Sequence, residues 1–78
     1  MVSGVADVIK HIRKKRDWSQ RKLAGKAGIS HTLLSDIERE RCNPSLKTLR
    51  KIADALDISI SQIFLQAEYG KSVHKENK

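Results

Sequence analysis

Three histidines and one cysteine are the side chains best suited to metal binding or catalysis, and their placement serves neither. His11, His31 and His74 lie in different segments without metal-ligand spacing. Cys42 has basic neighbours in Arg39 and Arg41, but no histidine is placed by sequence to act as its base. A single cysteine cannot form an internal disulfide. The expectation is a protein that is not an enzyme and holds no metal and no cofactor. The chemistry that remains is charge and hydrogen bonding. Sixteen Lys and Arg stand against nine Asp and Glu, a net charge of +7, which favours an anionic partner.

The 78 residues allow one domain with a thin core. Little room is left for a ligand cavity, so no small-molecule ligand is expected. No apolar run reaches the roughly 18 residues that a membrane span requires, and no membrane role is expected. The basic first helix needs its apolar face for the core, which argues against a membrane-surface role. The first ten residues, MVSGVADVIK, lack a charged-then-apolar signal, so secretion is not expected and a cytoplasmic protein is.

The elements that must position these groups are helices, and no strand is expected. Val5, Val8, Ile9 and Ile12 fall at helical spacing in a first helix from Val5 to Arg16. Ser19 caps a second helix through Ala27, which Gly28 stops; Trp18 and Leu23 are placed to staple its start. Ser30 caps a third helix from His31 to Arg39, anchored by Leu34 and Ile37. Pro44 marks a loop over 40–44. Ser45 caps a fourth helix from Leu46 to Leu56, with Leu46, Leu49, Ile52, Ala53 and Leu56 on one face. Ser59 and Gln62 form a capping box for a short fifth helix carrying Ile60, Ile63 and Phe64. Residues 1–4 are expected to be frayed, 5–69 to form the domain, and 70–78 to be a polar tail.

The spacing Ser19-Gln20-x-x-Leu23-Ala24-x-x-Ala27-Gly28-Ile29-Ser30-x-x-x-Leu34-x-x-Ile37-Glu38 describes a helix, a tight turn and a second helix. Ala24 and Ala27 are small where the helices would cross, and Ile29 plugs the turn. This is the helix-turn-helix pattern, whose second helix lies in the DNA major groove. Additional matches are Ile9, Ile12 and Arg13, Leu34-Ser35-x-Ile37-Glu38-Arg39, Asn43-Pro44-Ser45-Leu46-x-x-Leu49, and Ile52-Ala53-x-Ala55-Leu56-x-Ile58-Ser59. On these residues, from about Val8 to Phe64, the chain resembles the phage-repressor or Xre-type helix-turn-helix family, also called lambda-repressor-like or Cro-like.

The resemblance implies an all-α, five-helix domain that binds double-stranded DNA sequence-specifically, usually as a dimer, and acts on transcription. It implies that Gln20 contacts phosphate and braces the recognition helix. It also implies that His31, Thr32, Leu33, Ser35 and Asp36 line the groove-facing side, and that Arg13 and Glu38 form a buried salt bridge.

Residue chemistry agrees with these roles. His31 can donate to guanine N7 or O6, and Thr32 can donate, accept or offer a methyl to thymine. Leu33 either contacts a thymine methyl or completes the core. Asp36 faces cytosine N4, repels wrong phosphate registers, or pairs with a local arginine. Ser35 is read as a phosphate contact, with Gln20, Arg21, Asn43, Lys47 and Thr48 near helix N-termini where free N–H groups attract phosphate. Arg41 joins them or reaches the minor groove. Lys10, Lys14 and Lys15 are read as solvated surface.

One such module has a small footprint, roughly 600–1,000 Å², so a homodimer on a palindromic operator is expected. Ile60, Phe64, Leu65 and Tyr69 are the candidate dimer contact; the competing reading has Ile60 and Phe64 only sealing the monomer core. A second reading of the whole chain is a protein-interaction module, an antitoxin or adaptor of the same fold. Three residues depart from the family pattern. Glu40 and Asp17 stand where it mostly has glycine, which puts a left-handed backbone on larger side chains. Lys22 stands where a glutamate would close a capping box, and is expected to add a charge on the DNA side. The operator sequence, and repression against activation, are not legible in the residues.

Overall fold

The apolar spacing around Ile9 produces a first helix, α1, Gly4–Lys15, with Ala6, Val8, Ile9 and Arg13 buried. The computed structural model describes residues 4–67. After α1 come α2 (Gln20–Ala27), α3 (His31–Glu38) and α4 (Leu46–Leu56). A fifth helix, α5, occupies 60–67. Among the described residues there is no strand. The boundaries fall within one residue of those read from spacing and capping.

The starts of α2 to α5 each have a specific donor account. Ser19, Ser30 and Ser45 are extended, and their side chains accept from the backbone N–H of Lys22, Leu33 and Thr48. Each such cap stabilises its helix by about 1 kcal/mol. Before α5 the box is reciprocal: Gln62 N–H donates to Ser59 Oγ at 3.0 Å, and Ser59 N–H donates to Gln62 Oε1 at 3.4 Å. Lys22 closes no such box, and α2 starts on the serine alone.

The four helix ends share one motif. Trp18, Ile29, Arg41 and Ile58 donate their backbone N–H to the carbonyls of Arg13, Ala24, Asp36 and Ala53, five residues back. This closure needs a left-handed residue just before the donor. Only Gly28, at φ +71°, meets that demand without a side chain. Asp17, Glu40 and Asp57 adopt φ of +61°, +62° and +61°. Asp tolerates this region through its short polar side chain; Glu does so less readily. Glu40→Gly is therefore expected to stabilise the domain by about 0.5–1 kcal/mol, strain relief outweighing the added freedom of the unfolded chain. That corresponds to a rise of roughly 2–8 °C in Tm, and a fall in a calorimetric scan would contradict it.

The helices enclose one core. Ile9, Leu23, Leu34, Ile37, Ile52, Leu56 and Ile63 are its fully buried large side chains. α2 packs on both α3 and α4, and α1 packs on α3. Ala24, Ala27 and Ala53 are buried where α2 and α4 contribute to that core. α5 closes the bundle through Ile63 and lies close to α1. A Cβ on Gly4 would stand only 2.6 Å from Ala67 Cβ, so this approach requires glycine. One expectation for the core fails: Leu46 is 60% exposed. It occupies the first residue of α4, where the helix extends past the core edge. Ile60 is half-buried against the core, whereas Phe64 and Leu65 are 46% and 50% exposed.

Candidate nucleic-acid interface

α3 divides cleanly around its axis. Leu34, Ile37 and Glu38 are buried, and Leu33 is half-buried against the core. His31 and Thr32 are exposed, and Ser35 and Asp36 are half-buried. At about 100° per residue, these four fill one continuous arc of about 140°. They present an imidazole, two hydroxyls and a carboxylate, the hydrogen-bonding groups that read base edges and phosphates.

What fixes this arc is a buried ion pair behind it. Arg13 Nε donates to Glu38 Oε2 and Arg13 Nη2 to Glu38 Oε1, both at 2.8 Å. Arg13 Nη1 donates to the Trp18 carbonyl at 2.8 Å, tying the α1–α2 joint to the same guanidinium. Gln20 Nε2 donates to Glu38 Oε1 at 3.0 Å, and Gln20 Oε1 lies 3.2 Å from His31 Nε2. The first side chain of α2 thus links the end of α3 to its beginning. Among the described residues, no buried side-chain nitrogen or oxygen lacks a partner.

Burial pushes the Glu38 carboxyl up, but hydrogen bonds from Arg13 and Gln20, with the charges of Arg13 and Lys10, outweigh it and hold the carboxyl below its ordinary value of 4.5. The hydrogen bond to Glu38 leads the causes that raise Arg13, against its burial. The pH consequence has a definite sign. A carboxyl depressed in the fold contributes stability that is complete above its unfolded value and is lost as pH falls through the folded one. Tm is expected to drop as pH is lowered below about 4.5, and the drop should shrink in Glu38→Gln. An unchanged slope in that variant would show that other carboxyls account for it.

Two sets of side chains flank the helix-turn-helix, one of phosphate candidates and one of cations around an indole. Arg21 is exposed on the first turn of α2, while Arg41, Asn43 and Lys47 are exposed around the start of α4. None of these four makes a side-chain hydrogen bond or ion pair among the described residues. Thr48 is half-buried, and its Oγ1 accepts from Ser45 Oγ at 3.1 Å; it joins the α4 cap and keeps its own hydroxyl hydrogen to donate. Three cations surround Trp18: Arg16, Lys22 and Lys26 lie 5.2, 5.9 and 5.1 Å from the ring centroid. Lys22 and Lys26 are rotated about 200° and 240° from Gln20 around α2. The charge expected from Lys22 on the DNA side therefore lies on the flank away from the Gln20–α3 contact. This collar was not anticipated, although the i, i+4 spacing of Lys22 and Lys26 beside Trp18 is its sequence signal.

His31, Gln20, Glu38 and Arg13 are brought into one network, while Leu33 shares itself between core and surface. Tyr69 lies outside the described residues. Away from α3, an open groove of about 460 Å³ is lined by His11, Ile12, Lys15, Arg16, Ile58 and Gln66. Among the described residues, no group of three or more His, Cys, Asp or Glu could hold a metal ion. Among the described residues, no helix is long and apolar enough to cross a membrane.

Comparisons with known proteins agree with this geometry. Residues 9–63 match a family model described as Helix-turn-helix. The immunity repressor protein of Bacillus phage phi105 is 45% identical over 80 aligned positions, covering 92% of this chain and 56% of that protein. A mutant of the restriction-modification controller protein C.Esp1396I superposes with a TM-score of 0.83 at 33% identity, covering 94% of this chain and 95% of that one. The biofilm master regulator SinR, solved in complex with DNA, superposes with a TM-score of 0.72 at 38% identity, covering 77% of this chain and 97% of that one. The chain spans about half the length, or less, of the phage repressor and the bacterial regulators whose full sequences it matches.

Proposed function

Because the chain belongs to the helix-turn-helix family, we propose that it binds double-stranded DNA sequence-specifically and regulates transcription, as a repressor or controller. α3 enters the major groove. His31, Thr32 and Asp36 read base edges, with Leu33 at the apolar margin, while Gln20, Arg21, Ser35, Arg41, Asn43, Lys47 and Thr48 serve the phosphates. The observation that carries this reading is the exposed polar arc of α3 held in place by the buried Arg13–Glu38 pair.

The protein works as a homodimer on a palindromic operator with half-sites about 34 Å apart. The exposed Phe64 and Leu65 of α5 support this, since both are large apolar side chains turned away from the core. Ile60 sits at the edge of that patch, and Tyr69 follows in sequence. The protein acts in the cytoplasm and needs no catalytic residue.

Selection from random duplexes, followed by binding at two salt concentrations, tests the reading. A palindrome with a steep salt slope is the expected outcome, because each neutralised phosphate releases counterions. Thr32→Ala should change the preferred bases, and Lys47→Ala should weaken all sites alike. Binding without a motif, abolished by modest salt, would overturn the reading and favour a protein partner. A monomer in sedimentation well above the DNA-binding concentration would overturn the preformed dimer.

A further inference from the structure

The link between Gln20 and His31 carries more than rigidity. Glu38 binds Arg13 through both carboxylate oxygens, and an ionised carboxylate can only accept hydrogen bonds. The end of the Gln20 amide that meets Glu38 Oε1 at 3.0 Å must then be the NH2 group. The carbonyl end is left facing His31, with Oε1 at 3.2 Å from Nε2. That oxygen cannot donate, so the hydrogen between the two atoms belongs to the imidazole. A neutral imidazole carries only one N–H. Its other nitrogen, Nδ1, is a lone pair without a hydrogen-bond partner among the described residues, on an exposed side chain at the first residue of α3.

We infer that Gln20 holds the proton of neutral His31 on Nε2, so that Nδ1 meets the major groove as an acceptor and selects a base with an exocyclic amino group, adenine or cytosine. This rests on the DNA-binding reading above. Adenine N6 and cytosine N4 are the amino groups of the major-groove edge; guanine and thymine offer only acceptors there. The polarity is opposite to the guanine contact expected from residue type alone, because a histidine free of Gln20 would present either tautomer. The second hydrogen of the Gln20 amide remains available for a phosphate oxygen, so bracing His31 and touching the backbone are compatible.

Two measurements on the whole chain test this, both at pH 8.5, where imidazole side chains in general are neutral. Long-range 1H–15N correlation of the free protein, with His31 identified by its absence in His31→Ala, should show protonation at Nε2. Gln20→Ala should shift it toward a mixture of tautomers. A proton on Nδ1 in the unsubstituted protein overturns the assignment. Selection from random duplexes with the unsubstituted and His31→Ala proteins then locates the base that His31 reads. Every base pair carries one such amino group, so the decisive step removes it: replacing adenine by purine, or cytosine by 2-pyrimidinone, at that pair should weaken binding of the unsubstituted protein by about tenfold, the scale of one good hydrogen bond, and affect His31→Ala far less. An equal loss for both proteins when the amino group is removed, or a motif unchanged by His31→Ala, overturns the base selection. If no motif emerges, the regulator reading falls and base selection falls with it, while the tautomer is decided separately by the resonance data.

Discussion

Glu38→Ala should lower the unfolding free energy by about 3–5 kcal/mol, because it strands a buried guanidinium without its carboxylate. Arg13 would keep only the Trp18 carbonyl, and Gln20 would lose the oxygen to which its amide donates. A domain of this size has a total stability of roughly 4–12 kcal/mol, so the variant should lose between a quarter and all of it. Urea titration followed by circular dichroism reads the loss directly, and a change under 1 kcal/mol would show that the pair is dispensable. The double variant Arg13→Met/Glu38→Leu separates two roles. Replacing a buried pair with apolar residues of similar size is often neutral or stabilising. The fold should therefore recover while DNA binding stays weak, since Gln20 no longer has an anchor from which to brace His31.

Leu34→Ala should cost about 2–5 kcal/mol, the loss of transfer free energy plus the cavity left behind. Leu34 is completely buried and, with Ile37, holds α3 against the core. Weak DNA binding in this variant would have a cause unlike that of a surface change. It would arise from the unfolded fraction, so added DNA should raise its Tm by mass action. Thr32→Ala, on the exposed arc, should instead weaken binding at an unchanged Tm. Equal Tm values for Leu34→Ala and the unsubstituted protein would mean that the site collapses without a cavity.

The fold was legible because local signals and burial agree. Three serines stand directly ahead of three helices, Gly28 stops α2, and the apolar periodicity of Ile9, Leu23, Leu34 and Ile52 describes one buried cluster. The left-handed backbone at Asp17 and Glu40 was readable as a departure from glycine, but Asp57 was missed. An aspartate in mid-sequence carries no local sign that a helix closes over it. Leu46 misled because periodicity assigns a face and does not say where along the helix the core ends.

Within the site, the Arg13–Glu38 pair came from resemblance, and no spacing across 25 residues would have revealed it. The position of Gln20 was legible, but its bond to Glu38, and with it the orientation of its amide, depends on how α2 crosses α3. Lys22 shows the same limit. Its charge is plain in the sequence, but its flank is set by where Trp18 lies.

That indole gives the molecule a built-in optical reporter. Trp18 is the sole tryptophan, and it stands at the α1–α2 joint with its carbonyl on Arg13 and its ring partly sunk against the core. Its fluorescence therefore follows the joint that orients the helix-turn-helix. The three cations around the ring add a sign to the signal. They concentrate iodide near the ring and repel caesium, and salt flattens that contrast by screening. Quenching by the two ions at low ionic strength thus gauges the positive potential beside Trp18 in the unlabelled protein, with DNA absent or present.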